Sequence, residues 1–247
     1  MQKTDVRYQN YIQILKEELV PAMGCTEPIA IAYGAAKARE ILGCLPDTVE
    51  VEASGNIIKN VKSVVVPNTD GLKGIEAAAA AGIVAGQADK ILEVISSVTD
   101  VDKAAIRTYL DTHEIQVRPS ESDIIFDIIL TLRAGASYVK LRISNYHTNI
   151  VHAEKNGRVL LEAGHTAQHI QASTLTDRSC MSIEGILDFV ETMDIDDVRE
   201  LIERQISYNS KIAQAGIEEN WGANVGSVLL HHYGNDVKIR ARAMAAA

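Results

Sequence analysis

Aromatic residues are scarce in this chain: one Trp, two Phe and eight Tyr among 247 residues. Its core must therefore be filled by Ala, Val, Ile and Leu. With 47% apolar residues there are enough of them to bury a sizeable one. Cysteine is also scarce. Cys25, Cys44 and Cys180 are three in number and far apart, which excludes a secreted disulfide framework and leaves no CxxC pattern for zinc or a ferredoxin. The thiols read as reduced and the protein as cytoplasmic. No apolar run approaches the ~18 residues of a membrane span, and the opening MQKTDVRYQN has no apolar signal region. Basic charge is lacking too. The formal net charge is −9, with the acids spread along the chain. That excludes a nucleic-acid binder, which needs a basic stripe, and an anionic membrane surface as partner. There is no Walker loop, no GxGxxG and no repeat of fixed period.

What is present is a sequence of helix signals, then strands, then helices. Thr4 or Asp5 can cap a first helix whose Tyr8, Tyr11, Ile12, Leu15 and Leu19 recur on one face, ended by Pro21. Thr26 caps a second helix carrying IAIAYGAAKA, stopped by Gly43 and Pro46. Val49 and Val51 alternate with Glu50 and Glu52 as a half-buried strand, broken by a Ser54-Gly55-Asn56 turn. A second apolar strand follows in VKSVVV, closed by Pro67-Asn68-Thr69, before a helix of tiny side chains from Gly71. Asp102 to Leu110 reads as another helix. Between His113 and Ala163 the period changes to two, giving five strand candidates, with Asn156-Gly157 as a two-residue hairpin signal. From Ser182 onward the chain is helical, with Asp188, Asp194 and Asp196 near helix ends.

The pattern predicts an α+β fold: a mixed or antiparallel sheet with small-residue helices and a helical C-terminal part. The expected division is 1–177, an α+β domain holding Cys25 and the polar-turn motifs, and 178–247, an incomplete helical segment. The closing VKIRARAMAAA carries no stop signal, which suggests a helix cut short of a longer parent. Ile57, Val64, Ile125, Ile128, Val139 and Ile143 are the expected sheet core.

The most pointedly placed side chain is Cys25, in MGCTEP at a helix start. Helix N-termini favour a thiolate, whereas the adjacent Glu27 opposes one. A thiolate here could be a nucleophile, which needs a histidine partner, or a metal ligand, which needs thiol companions; an inert thiol is the plainer reading. The two polar turns around residues 54–56 and 67–69 could hold the carboxylate and amine of an amino acid, or simply be Asx- and Ser-type turns. Lys59 could serve as a base or Schiff-base lysine, or be a solvated surface residue. His165, after the hairpin strand, could act as acid or base, or cap the strand. His231 and His232 are adjacent on a helix and point apart.

The stretches EELVPAMGCTEPIAIAYGAAKA, SGNIIKNVKSVVVPNTDGLKGIEAAAAAG and NWGANVGSVLL together resemble the L-cysteine desulfidase family, related to the alpha subunit of iron–sulfur-dependent L-serine dehydratase. The resemblance covers essentially the whole chain. It implies an oxygen-sensitive [4Fe-4S] lyase of amino-acid catabolism, giving pyruvate and ammonia plus sulfide or water. By that resemblance Cys25 is a cluster ligand, and Ser54, Asn56, Asn68 and Thr69 line the pocket of a small amino-acid substrate. Glu27 and Lys59 lie in the same motifs, and with His165 are the candidates for acid–base work. The family's remaining cluster cysteines lie beyond the end of this chain, so Cys44 and Cys180 do not stand in for them. The cluster is accordingly expected in the complete enzyme and not on this chain alone. The chain would then self-associate or meet a second chain bearing the missing cysteines. Two readings remain open beside this one: a cluster-free module that binds an amino acid or a partner, and a thiol hydrolase with a histidine at Cys25.

Overall fold

A computed structural model describes residues 1–162, 176–220 and 222–246; His165 lies outside them. The chain divides into two compact units, Pro21–Ser173 and a second formed by Met1–Val20 with the segment from Thr174 to Ala247.

The larger unit is built on a six-stranded sheet. Its strands are β1 (Thr48–Ala53), β2 (Ile115–Pro119), β3 (Asp127–Ala134), β4 (Ser137–Ser144), β5 (Ile150–Lys155) and β6 (Arg158–Glu162), in the order β2-β1-β3-β4-β5-β6. Only β1 and β2 are parallel, and a parallel pair requires a long crossover. The crossover here holds three α-helices, α3 (Gly55–Val61), α4 (Gly74–Ala85) and α5 (Asp100–Thr112), with a short 3-10 helix, Ala88–Glu93, before the last. The other pairs are antiparallel. Asn156 and Gly157 both adopt positive φ, 52° and 78°, between β5 and β6, as a two-residue hairpin turn demands.

Ile128, Leu130 and Leu132 of β3 and Val139, Leu141 and Ile143 of β4 are all fully buried. They alternate with more polar neighbours, so they share one face of the sheet. Against that face packs α2 (Thr26–Leu42). A methyl group on Gly34 of α2 would lie 2.6 Å from Leu130 Cδ1 and 3.0 Å from Ile143 Cδ1, so the helix sits directly on the sheet. It also packs against α4. A methyl on Gly82 would lie 2.1 Å from the Ala32 carbonyl oxygen. The tiny side chains of both helices thus let two backbones meet, which larger ones would prevent. At one margin of β3, the fully buried Asp127 carboxylate accepts hydrogen bonds from Arg142 Nε at 2.7 Å and Ser120 Oγ at 2.9 Å.

Several local expectations are corrected. Ser54-Gly55-Asn56 is no turn between strands: Ser54 caps α3, its Oγ accepting from the Ile57 amide at 3.4 Å. Ile57 and Val61 are buried four apart on α3, a helical spacing that the following valines obscured. Residues 61–66 contribute only one isolated bridge, Val65 to Lys73. Ile57 is therefore a helix residue and Val64 is half-buried. Ile125 is 74% exposed, because β3 begins two residues later at Asp127. The small-residue helix begins at Gly74, not Gly71. Asp188 lies within a helix rather than at its end.

The smaller unit is helical: α1 (Val6–Glu18), α6 (Ile183–Thr192), α7 (Arg199–Glu218), α8 (Val225–Tyr233) and α9 (Lys238–Ala246). Asp5 caps α1 by accepting from the Arg7 amide. Phe189 of α6 lies against Tyr8 and Tyr11 of α1, with ring centroids 5.3 and 5.0 Å apart. Among the described residues, no helix is long and apolar enough to cross a membrane.

The α2–α4 crossing generates a test. Gly82→Ala forces a methyl into a backbone and is expected to lower stability by about 1–3 kcal/mol. Gly55→Ala meets nothing within 4 Å and should stay within about 1 kcal/mol of wild type. Chemical-denaturation midpoints read both; equal effects would refute the close crossing.

Candidate functional site

Gly24, at φ 73°, turns the chain into α2. Cys25 rather than Thr26 is the capping residue, in extended geometry and without a side-chain cap bond. Its thiol instead donates to Glu27 Oε2 at 3.0 Å. Glu27 Oε1 accepts from Asn60 Nδ2 of α3 at 3.4 Å. Thr26 turns the other way, its Oγ1 lying 2.9 Å from His147 Nε2.

His147 belongs to the loop of residues 145–149 between β4 and β5, and that loop is firmly held. Asn145 N donates to the Phe126 carbonyl at 2.9 Å, Asn149 Nδ2 to the Ser144 carbonyl at 2.9 Å, and Ser144 N to the Asn149 carbonyl at 3.1 Å. The Phe126 ring meets the His147 ring edge-on at 4.5 Å. One residue earlier, the Ile125 carbonyl accepts from Ser54 Oγ at 2.6 Å. The contacts close a ring: α2 start, His147, Phe126, Ile125, Ser54, α3, Asn60, and back to Glu27.

The turn at residues 67–69 adjoins the same place, since a methyl on Gly24 would lie 3.6 Å from Pro67 Cγ. Asn68, at φ 56°, donates to the carbonyls of Ile95 and Ser96 at 3.1 and 3.4 Å. Thr69 is buried and donates to the Val66 carbonyl at 2.7 Å. Ser54, Asn68 and Thr69 thus use their side-chain donors within the protein. Asn56 and Lys59 are exposed on α3. His165 lies outside the described residues. Asn60 and His147 were not singled out by the sequence reading. Asn60 shares the SGNIIKN motif with the residues that were, whereas His147 sits in a polar loop with no motif around it.

The protonation pattern follows from these contacts. Withdrawal from water, then the hydrogen bond to Glu27, push the Cys25 thiol above its ordinary value. The same bond, with Asn60 and the nearby His147, holds Glu27 below the usual carboxylate range. Burial lowers His147, against a smaller opposing pull from Glu27. At neutral pH the site is therefore thiol, carboxylate and neutral imidazole. The helix N-terminus offers a thiolate about 0.3–1 kcal/mol. A hydrogen bond to a charged acceptor is worth about 1.5–3 kcal/mol, so Glu27 prevails. Among the described residues no histidine bonds to Cys25, so none of them forms a Cys–His pair with it.

A [4Fe-4S] cluster with one open iron needs about three cysteinates. Among the described residues no group of three His, Cys, Asp or Glu is placed to hold a metal ion. Cys44 follows the far end of α2, a 17-residue helix and so about 25 Å long, too far to share a cluster with Cys25. The donors of the described residues do not fit that group.

Glu27→Gln removes the charge that keeps the proton on Cys25. Alkylation of Cys25 by iodoacetamide near pH 8 is expected to accelerate roughly two- to tenfold. The His147 titration, followed by NMR, should move further down, because the Glu27 charge opposes its lowering. An unchanged alkylation rate would mean that Glu27 does not hold the thiol proton.

No protein-family model matches the chain, and no solved structure does. Curated relatives do. A UPF0597 protein of Desulfitobacterium hafniense is 62% identical over 247 residues, covering 100% of this chain and 57% of its own length. One of Lachnoclostridium phytofermentans is 49% identical over 240 residues, 97% of this chain and 57% of the relative. One of Finegoldia magna is 44% identical over 243 residues, with the same two coverages. The chain thus spans a little over half the length of the relatives it matches, and across nearly its whole extent it is homologous to UPF0597 proteins of many species.

Proposed function

We propose that this chain forms part of a cytoplasmic amino-acid lyase of the iron–sulfur-dependent type, acting on L-cysteine or L-serine and releasing pyruvate, ammonia and sulfide or water. The observation that carries the reading is that two of the motifs resembling the desulfidase family meet at the start of α2, where Glu27 beside Cys25 accepts from Asn60 of α3, within a closed ring of contacts completed by His147, Phe126 and Ile125. Cys25 is an exposed residue at the start of α2. Glu27 at the thiol and the neutral His147 on Thr26 are two groups of the ring able to accept a proton. When bound, a cluster of this type supplies a Lewis-acidic iron. Its further thiolates, on this reading, come from polypeptide outside these 247 residues. The tightly satisfied Ser54, Asn68 and Thr69 shape backbone around the site more than they offer free donors to a substrate.

A second reading has its own support. Cys25 is a protonated donor to Glu27, and the described residues lack a ligand set. Both suit a cluster-free module that binds an amino acid or a partner.

Anaerobic treatment with iron and sulfide, desalting, visible absorption and a pyruvate assay separate the two. The chain alone is expected to retain no stoichiometric iron and to yield no pyruvate from L-cysteine or L-serine. The longer Desulfitobacterium hafniense relative, treated alike, is expected to yield it. Pyruvate from the chain alone would overturn the shared ligand set. An iron-loaded relative inactive on both amino acids would overturn the lyase reading and favour the module.

A further inference from the structure

The helical unit buries little of its own apolar surface. Its core cluster is Tyr8, Tyr11, Ile12, Phe189 and Val198. Of the twenty residues of α7, only Ala213 and Gly216 are buried. Helices of this length owe most of their stability to packing of an apolar face, so this unit has more such surface than it uses.

The surplus is most ordered on α6. Phe189 faces Tyr8 and Tyr11, and that contact fixes the helix. Ile183, Ile186, Leu187 and Val190 then fall on a second face, at the i, i+3, i+4 and i+7 spacing of a packing stripe. All four are exposed, at 75%, 39%, 55% and 56%. Glu184 and Glu191 lie beside the stripe on the same helix and are also exposed. A stripe of this width takes one helix in its groove. The acidic border asks for a partner with basic residues along its margin.

We infer that this α6 face is the docking surface for an amphipathic, basic-edged helix belonging to the part of the UPF0597 proteins that this chain does not match. Two observations choose that occupant. The relatives match the chain over 52–58% of their length, so each carries a further region of comparable size. The glutamates beside the stripe disfavour a second copy, whose α6 would bring like charges to the same border. The inference does not depend on the lyase reading, since its readout is assembly rather than catalysis.

The test uses the 247-residue chain and, as a separate polypeptide, the unmatched portion of the Desulfitobacterium hafniense relative. Light scattering after size exclusion should show a 1:1 complex, and hydrogen exchange should slow over residues 183–192. Leu187→Asp, at an exposed position, should weaken the complex about tenfold or more while leaving the thermal midpoint of the chain unchanged. Val101→Asp, on the exposed face of α5, should leave binding intact. If Leu187→Asp lowers the thermal midpoint, the exchange footprint on the wild-type chain decides. No complex, a complex without protection over 183–192, or a homodimer of the chain that Leu187→Asp dissociates would each overturn the inference.

Discussion

The α2–α4 crossing is the constraint on which the candidate site depends. Gly82 admits the Ala32 carbonyl of α2 where any side chain would clash, and Gly34 lets the same helix rest on Leu130 and Ile143. A helix seated on two sides by backbone-close contact has little freedom to slide or rotate. Its first turn is therefore fixed in space. Cys25, Thr26 and Glu27 inherit their directions from that seat, and their own hydrogen bonds add to it. The scarcity of aromatics has the same root: a core assembled from Ala, Val, Ile and Leu brings elements closer than ring-filled layers would.

The ring of contacts around the α2 start adds a second layer of order. It is assembled from residues far apart in the chain: a helix cap, a short crossover helix and two loops at the ends of β3 and β4. Each link is individually modest, since single hydrogen bonds contribute about 0.5–1.5 kcal/mol net. Closure matters more than any one link, because moving His147 requires moving Phe126, and moving Ser54 displaces both the Ile125 carbonyl and α3. That coupling distinguishes a positioned constellation from polar residues that happen to be neighbours.

Much of this was legible in the sequence. Period-two alternation revealed the strands of the 113–163 region, and Asn156-Gly157 located their last hairpin, because both signals are local. Cys25 stood out because Gly, Cys, Thr and Pro around a helix start form a pattern that packing does not call for. The α3 helix was misread because Val64, Val65 and Val66 carry strand character that overrode the Ile57–Val61 spacing. Ile125 was misplaced because an apolar run says nothing of where a strand begins; Asp127, paired with Arg142, decides that. His147 could not have been found locally, since its significance comes from Thr26, 121 residues away. The hydrogen bond from Cys25 to Glu27 was half-visible: the sequence showed that Glu27 opposes a thiolate, but not that it accepts the thiol proton directly.

The three titrating groups of the site also define the conditions under which it holds together. Glu27 is lowered from 4.5, so its contribution is present above that value and lost as pH falls through its folded pKa. His147 is lowered from 6.5; its contribution is likewise complete above the ordinary histidine value and lost on acidification. Cys25 is raised from 9.0, which reverses the sign: its contribution is present below that value and lost as pH rises through the folded pKa. Acid thus charges the imidazole and neutralises the carboxylate, while base removes the proton that Cys25 donates to Glu27. Between these limits all three groups sit in the protonation states that the geometry favours. The lower limit is set by His147 and Glu27 and the upper by Cys25.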